Sequence, residues 1–67
     1  MIALTINGEA RHFEHALTCS ALLEKLELAG KRVAIERNGE IVPRSRHADA
    51  MVNDGDRLEI VVAVGGG

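Results

Sequence analysis

The sequence predicts an α+β domain: a mixed sheet of four to five strands with one helix packed across one face. Three observations carry that prediction. Short apolar segments alternate with polar residues at the period of a strand, two Asn-Gly pairs punctuate them, and a single stretch has helical period. One helix cannot supply the crossovers of an all-parallel sheet, so a two-layer mixed arrangement is the economical packing.

Ile2, Leu4 and Ile6 alternate with Ala3 and Thr5, the pattern of a half-buried strand. Asn7-Gly8 follows, and Asn-Gly between extended segments is a strong hairpin signal because both turn residues must take positive φ. Residues near Glu9 to His15 return as a second, weakly patterned strand, with Phe13 its clearest inward residue. Thr18 suits an N-cap. After it Cys19, Leu22, Leu23 and Leu26 fall on one helical face, with Glu24, Lys25 and Glu27 on the other. The spacing predicts a helix of about three turns. Gly30 is expected at its C′ position, followed by Lys31.

Val33 and Ile35 alternate with Ala34 and Glu36. Asn38-Gly39 is the second hairpin signal, Glu40-Ile41-Val42 the short return strand, and Pro43 its end. Residues 44–52 read as polar and irregular apart from Ala50, Met51 and Val52. Asp54-Gly55-Asp56 marks a turn, and Leu58, Ile60 and Val62 alternate with Arg57, Glu59 and Val61 as a last strand. The division expected is a domain over 1–63 and a flexible glycine tail over 64–67.

Composition excludes several classes of function. The chain has 67 residues, one domain near the lower limit for independent folding. Hydrophobic residues make up 46%, enough for a core. The net charge of −2 comes from interspersed acids and bases, which leaves no basic face for nucleic acid. Phe13 is the only aromatic residue, so bases find no stacking platform and a cofactor no aromatic pocket. The length argues against an autonomous enzyme. The start Met1-Ile2-Ala3-Leu4-Thr5 is no signal peptide, and no apolar run is long enough to span a membrane. A lone cysteine without an export signal suits a cytoplasmic location.

The strand–strand–helix–strand–strand–strand order and the ending Val64-Gly65-Gly66-Gly67 resemble the β-grasp arrangement of ubiquitin-like proteins. The segment Arg37-Asn38-Gly39-Glu40-Ile41-Val42-Pro43-Arg44 and the turn Asp54-Gly55-Asp56 make the whole chain similar to the bacterial sulfur carriers of thiamine biosynthesis, which supply the thiazole ring. The small subunit of molybdopterin synthase is the nearest rival, and a ubiquitin-like protein modifier another. The molybdopterin subunit usually carries proline before its glycines, where Ala63-Val64 stands here.

The resemblance implies a working group, the carboxylate of Gly67. A carboxylate is an anion at neutral pH and a poor electrophile. In the family a partner, an ATP-dependent adenylyltransferase using ATP and Mg²⁺, forms an acyl-adenylate there. Cysteine-derived sulfur then displaces AMP to leave a thiocarboxylate, and thiazole synthase is the acceptor. The chain itself binds no cofactor on this reading. Glycines suit a tail threaded through a narrow channel, since they carry no Cβ.

Other residues are weighed against plainer readings. Val61 and Ala63 face away from Leu58 and Ile60 if the last strand alternates. With Val64, Gly65 and Gly66 they are the expected partner-docking residues, against a strand that is simply apolar. Arg44 and Arg46 are either docking charges or ordinary solvated ones. Cys19, on the apolar helix stripe, is expected to be a buried structural thiol rather than a persulfide carrier. His12, His15 and His47 are expected at the surface rather than on a metal.

Overall fold

The computed structural model describes residues 1–63. Strands β1 (Ile2–Ile6) and β2 (Glu9–Phe13) form a hairpin, as the first Asn-Gly pair predicts. β3 (Leu17–Thr18) leads into helix α1 (Cys19–Lys25). β4 (Val33–Arg37) and β5 (Glu40–Val42) form the second hairpin. A 3-10 turn over Arg44–Arg46 precedes β6 (Met51–Val52), and β7 (Arg57–Val62) follows. The main sheet has five strands in the order β2-β1-β7-β4-β5. β7 enters its middle, parallel to β1 and antiparallel to β4. The α+β class, the mixed five-stranded sheet and the single helix match the expectation.

Helix α1 covers one face of that sheet. Ile2, Leu4 and Ile6 of β1, Leu58 and Ile60 of β7 and Ile35 and Val42 of the second hairpin point at it. There they meet Cys19, Leu22 and Leu23 in one buried cluster with Leu17 and Val52. Thr18 caps the helix as expected, its hydroxyl accepting from the Ala21 N–H at 3.0 Å.

The helix is shorter than its apolar stripe suggests: seven residues, about two turns, rather than three. The Leu28 N–H donates to the Leu23 carbonyl at 2.7 Å and the Glu27 N–H to that of Glu24 at 3.0 Å, which closes a Schellman ending. The C′ residue is therefore Glu27, at φ 61°, and Gly30, at φ 83°, takes its positive φ three residues later. Leu28 packs against the core, and that burial turns the chain in before Gly30 is reached. A second difference lies in residues 44–52. Met51–Val52 pairs antiparallel with Leu17–Thr18 as a separate two-stranded sheet. Two-residue strands leave no periodicity to read.

The two Asn-Gly turns do more than reverse the chain. Asn7 and Asn38 each sit at φ 52°, the left-handed region that asparagine tolerates better than most residues. Both side chains reach β7. Asn7 accepts from the Ile60 N–H at 2.8 Å and donates to the Ile60 carbonyl at 3.0 Å, extending the parallel β1–β7 ladder past the end of β1. Asn38 accepts from the Arg57 N–H at 2.9 Å and donates to Asp56 Oδ1 at 3.0 Å. Asp54 Oδ1 accepts from the Ala3 N–H at 2.7 Å, tying the turn before β7 to β1.

Asn7→Gly keeps the left-handed backbone without strain and removes only the amide, so its effect reports the two bonds to Ile60. The expected loss is about 1–2 kcal/mol in urea denaturation, and Asn7→Asp should lose more because a carboxylate oxygen then faces the Ile60 carbonyl. A neutral Asn7→Gly would show that β7 does not depend on this amide.

Candidate functional site: the open sheet face and the glycine end

Gly67, Gly66, Gly65 and Val64 lie outside the described residues. What the structure places is the strand that leads to them. The Ala63 N–H donates to the Arg32 carbonyl at 2.8 Å, which carries the β4–β7 pairing one residue beyond Val62. The last described residue therefore stands in the middle of the sheet, beside Arg32, and not on an edge strand.

The alternation that buries Leu58 and Ile60 sends Arg57, Glu59 and Val61 to the face away from the helix. Val61 is 64% exposed, and Ala63 is exposed. These two expected docking residues stand on the open side of the sheet. Register brings others beside them. Ala34 is opposite Val61, Glu36 opposite Glu59, and Ile41 opposite Glu36. Ile41 is 65% exposed, a larger aliphatic side chain in water on β5, the edge strand next to β4. Sequence reasoning missed Ala34, Glu36 and Ile41. The signal was present in the alternation of Val33–Arg37, but the pairing that sets them next to Val61 is long-range.

Other candidates separate from this face. Arg46 pairs with Asp49 at 3.3 Å across one turn, and Arg44 is exposed nearby, on the far side of β5 from Val61. His12 and His15 are exposed as expected, but His47 is buried, 6% exposed. Its Nε2 lies 3.2 Å from the Val42 carbonyl, and the Ser20 N–H donates to its backbone carbonyl at 2.9 Å. The ring thus fastens the 3-10 segment to β5 and the backbone carbonyl of His47 ties it to the helix start, a tertiary role its polar neighbours in sequence concealed. Among the described residues no group of three His, Cys, Asp or Glu side chains stands close enough to hold a metal ion. The depressions among the described residues are open grooves, such as one of about 320 Å³ between the helix and the 3-10 segment, lined by Ser20, Glu24, Lys31, Arg44 and His47.

Cys19 is fully buried, as its place on the helix stripe predicts. Burial pushes its thiol above the usual 9.0; nearby Arg37 draws it back by less, and Asp56 adds to the rise. A thiol held protonated out of solvent is a poor nucleophile.

Comparison with known proteins decides the family. The model of the ThiS family matches residues 4–67. The chain belongs to the ThiS family. Over 65 residues this ThiS-family chain is 42% identical to the sulfur carrier protein ThiS of Bacillus subtilis, covering 96% of this chain and 98% of that one. It superposes on the crystal structure of the thiamine biosynthesis protein ThiS of Geobacter metallireducens with a TM-score of 0.83. That pair is 33% identical, over 98% of this chain and all of the other. It is also 55% identical over 64 residues to a thiazole synthase of Paramagnetospirillum magneticum. That match covers 96% of this chain, which spans only 20% of the synthase. Family and fold together make this a sulfur carrier of the thiamine-biosynthesis type with the ubiquitin-like β-grasp fold.

The Cys19 environment yields a pH dependence. Its folded pKa is raised, so the unfolded chain releases the proton first. The associated stability is fully present below 9.0 and is lost as pH rises through the folded pKa. Urea midpoints measured between about pH 8 and 10 should fall more steeply for the native protein than for Cys19→Ala. Cys19→Ala should cost about 1 kcal/mol at neutral pH through a small cavity. Equal slopes would mean that the thiol is already solvated.

Proposed function

We propose that this chain carries sulfur on the carboxylate of Gly67, for thiazole formation. A partner enzyme using ATP and Mg²⁺ adenylates that carboxylate, a cysteine-derived sulfur donor displaces AMP, and the resulting thiocarboxylate gives its sulfur to a thiazole synthase. The observation that carries this reading is the match of the ThiS family model through residue 67, so that the glycine end belongs to the matched pattern. Kinship with a segment of a protein named thiazole synthase supports the acceptor. The chain is a co-substrate on this reading, with ATP and Mg²⁺ held by the partner. A cytoplasmic setting belongs to the same proposal and agrees with a buried, unpaired Cys19.

The domain's part is positional. β7 is fixed in mid-sheet, and residues 64–67 follow it in sequence, while the face bearing Val61 and Ala63 docks the partner. The carboxylate then has to meet the α-phosphate of ATP. One extended residue spans about 3.3–3.6 Å. A misplacement of about 1 Å can cost on the order of a hundredfold in rate. Chain length at the glycine end is therefore under tight constraint.

Deleting Gly67, or adding one alanine after it, should abolish ATP-dependent pyrophosphate release in the presence of the activating enzyme. The buried core among the described residues runs from Ile2 to Ile60, so both variants should melt like the native chain. Intact mass should show an oxygen-to-sulfur exchange on the native chain only, whereas high-mass adducts would point to a protein modifier. Native-like pyrophosphate release from the alanine-extended chain would overturn the assignment to Gly67.

Val61→Asp tests docking separately. Val61 is largely in water, so folding should be near normal, while binding to the activating enzyme weakens because the new charge is buried without a partner. Unchanged affinity would move the docking surface elsewhere.

A further inference from the structure

The open face holds an arrangement that folding alone disfavours. Glu36 on β4 and Glu59 on β7 are direct register partners with their side chains on the same side of the sheet. Like charges placed opposite one another across an antiparallel pair repel. Among the described residues neither glutamate is in an ion pair: the pairs are Glu9–Arg11 and Arg46–Asp49, and Arg57, on the same face, is within ion-pair distance of neither. The two acids are bracketed by exposed aliphatic side chains. Ile41 stands beside Glu36 in the same row, and Val61 with Ala34 forms the next row.

We propose that this row is a receptor for an arginine side chain of the partner that grips the glycine end, with Ile41 and Val61 receiving aliphatic side chains on either side of it. The inference rests on the docking reading of β7 and names the chemistry of what docks. Strands in a sheet lie about 4.7–4.9 Å apart, so carboxylates on adjacent strands can each accept from one planar guanidinium. Arginine fits this better than lysine, because it offers five donors in a rigid fork and is weakly hydrated beside apolar groups. A metal ion fits less well, since no third ligating side chain joins the pair. The paired carboxylates themselves repel phosphate, which disfavours nucleic acid or an anionic membrane as their occupant. Continuity selects the partner: Glu59 and Val61 lie on the strand that runs through Ala63 into residues 64–67.

The test uses the full chain and the activating enzyme identified by pyrophosphate release, with affinity measured calorimetrically at low and at high salt. Glu36→Gln combined with Glu59→Gln keeps shape and removes charge. It should weaken binding at least tenfold at low salt and flatten the salt dependence. The free double variant should melt about 2–5 °C higher at low salt, because the repulsion is gone. Native-like affinity of the double variant, with Val61→Asp still weakened, would overturn the arginine receptor and leave the docking face standing. Native-like affinity of both would overturn the receptor and the docking face together. If no activating enzyme responds to the chain, the melting test decides: no rise in the double variant would show that the carboxylates are too far apart to share one cation, and the receptor falls. A mutant enzyme whose single interface arginine, changed to alanine, loses tenfold against the native chain but nothing against the double variant would establish the pairing.

Discussion

Everything in this domain is organised around one strand held in the middle of the sheet. β7 has the last core side chains among the described residues, Leu58 and Ile60, and pairs on both sides with strands formed much earlier in the sequence. Its parallel pairing with β1 is short, only Thr5–Arg57 and Ile6–Leu58. Two asparagine amides make up the difference. Asn7 takes both backbone groups of Ile60, and Asn38 takes the N–H of Arg57 while holding Asp56. A buried backbone group without a partner costs about 1–3 kcal/mol. Without the Asn7 amide the partly buried backbone groups of Ile60 would be left without those partners where β1 has already turned away.

That constraint explains why a small chain suffices. A core of about a dozen side chains has little surplus stability. The domain spends none of it on an enclosed cavity: its grooves are open, its lone thiol is packed as a hydrophobe, and its buried histidine is a tether between β5 and the helix start. The one face left without a covering layer is the side of the sheet opposite the helix, and there exposed Ile41 and Val61 and the opposed Glu36 and Glu59 accumulate.

Much of the fold was legible in local signals. The Asn-Gly pairs, the alternation of Ile2–Ile6 and Arg57–Val62, and Thr18 before an apolar stripe each act over a few residues. What stayed hidden depended on distant partners. Leu28 ends the helix early because the core takes it in. Met51–Val52 becomes a strand only because Leu17–Thr18 is there to pair with it. His47 looks like a surface residue among Arg44, Arg46 and Asp49, yet the fold buries it against the Val42 carbonyl. At the site, Val61 and Ala63 could be placed from alternation within one strand, whereas Ala34, Glu36 and Ile41 required the β4–β7 and β4–β5 registers. The segments that carried the family resemblance, around Asn38 and Asp54–Asp56, turn out to touch: Asn38 bonds Asp56 and Arg57.

That contact links stability to function. The residues that lock the start of β7 are several positions away from the residues that leave the domain, and the strand between them alternates strictly. Locking one end in register therefore fixes which side chains of β7 face the helix and which face outward, since a slip of one residue would exchange the two sets. Leu58 and Ile60 would come out, and Glu59 and Val61 would go in. A buried Glu59 would be an unpaired charge in the core, so the slipped register is strongly disfavoured. The same acid that repels Glu36 on the open face thus helps to forbid the alternative pairing. The register it protects carries Val61 and Ala63 on the outward side, immediately before residues 64–67 in sequence.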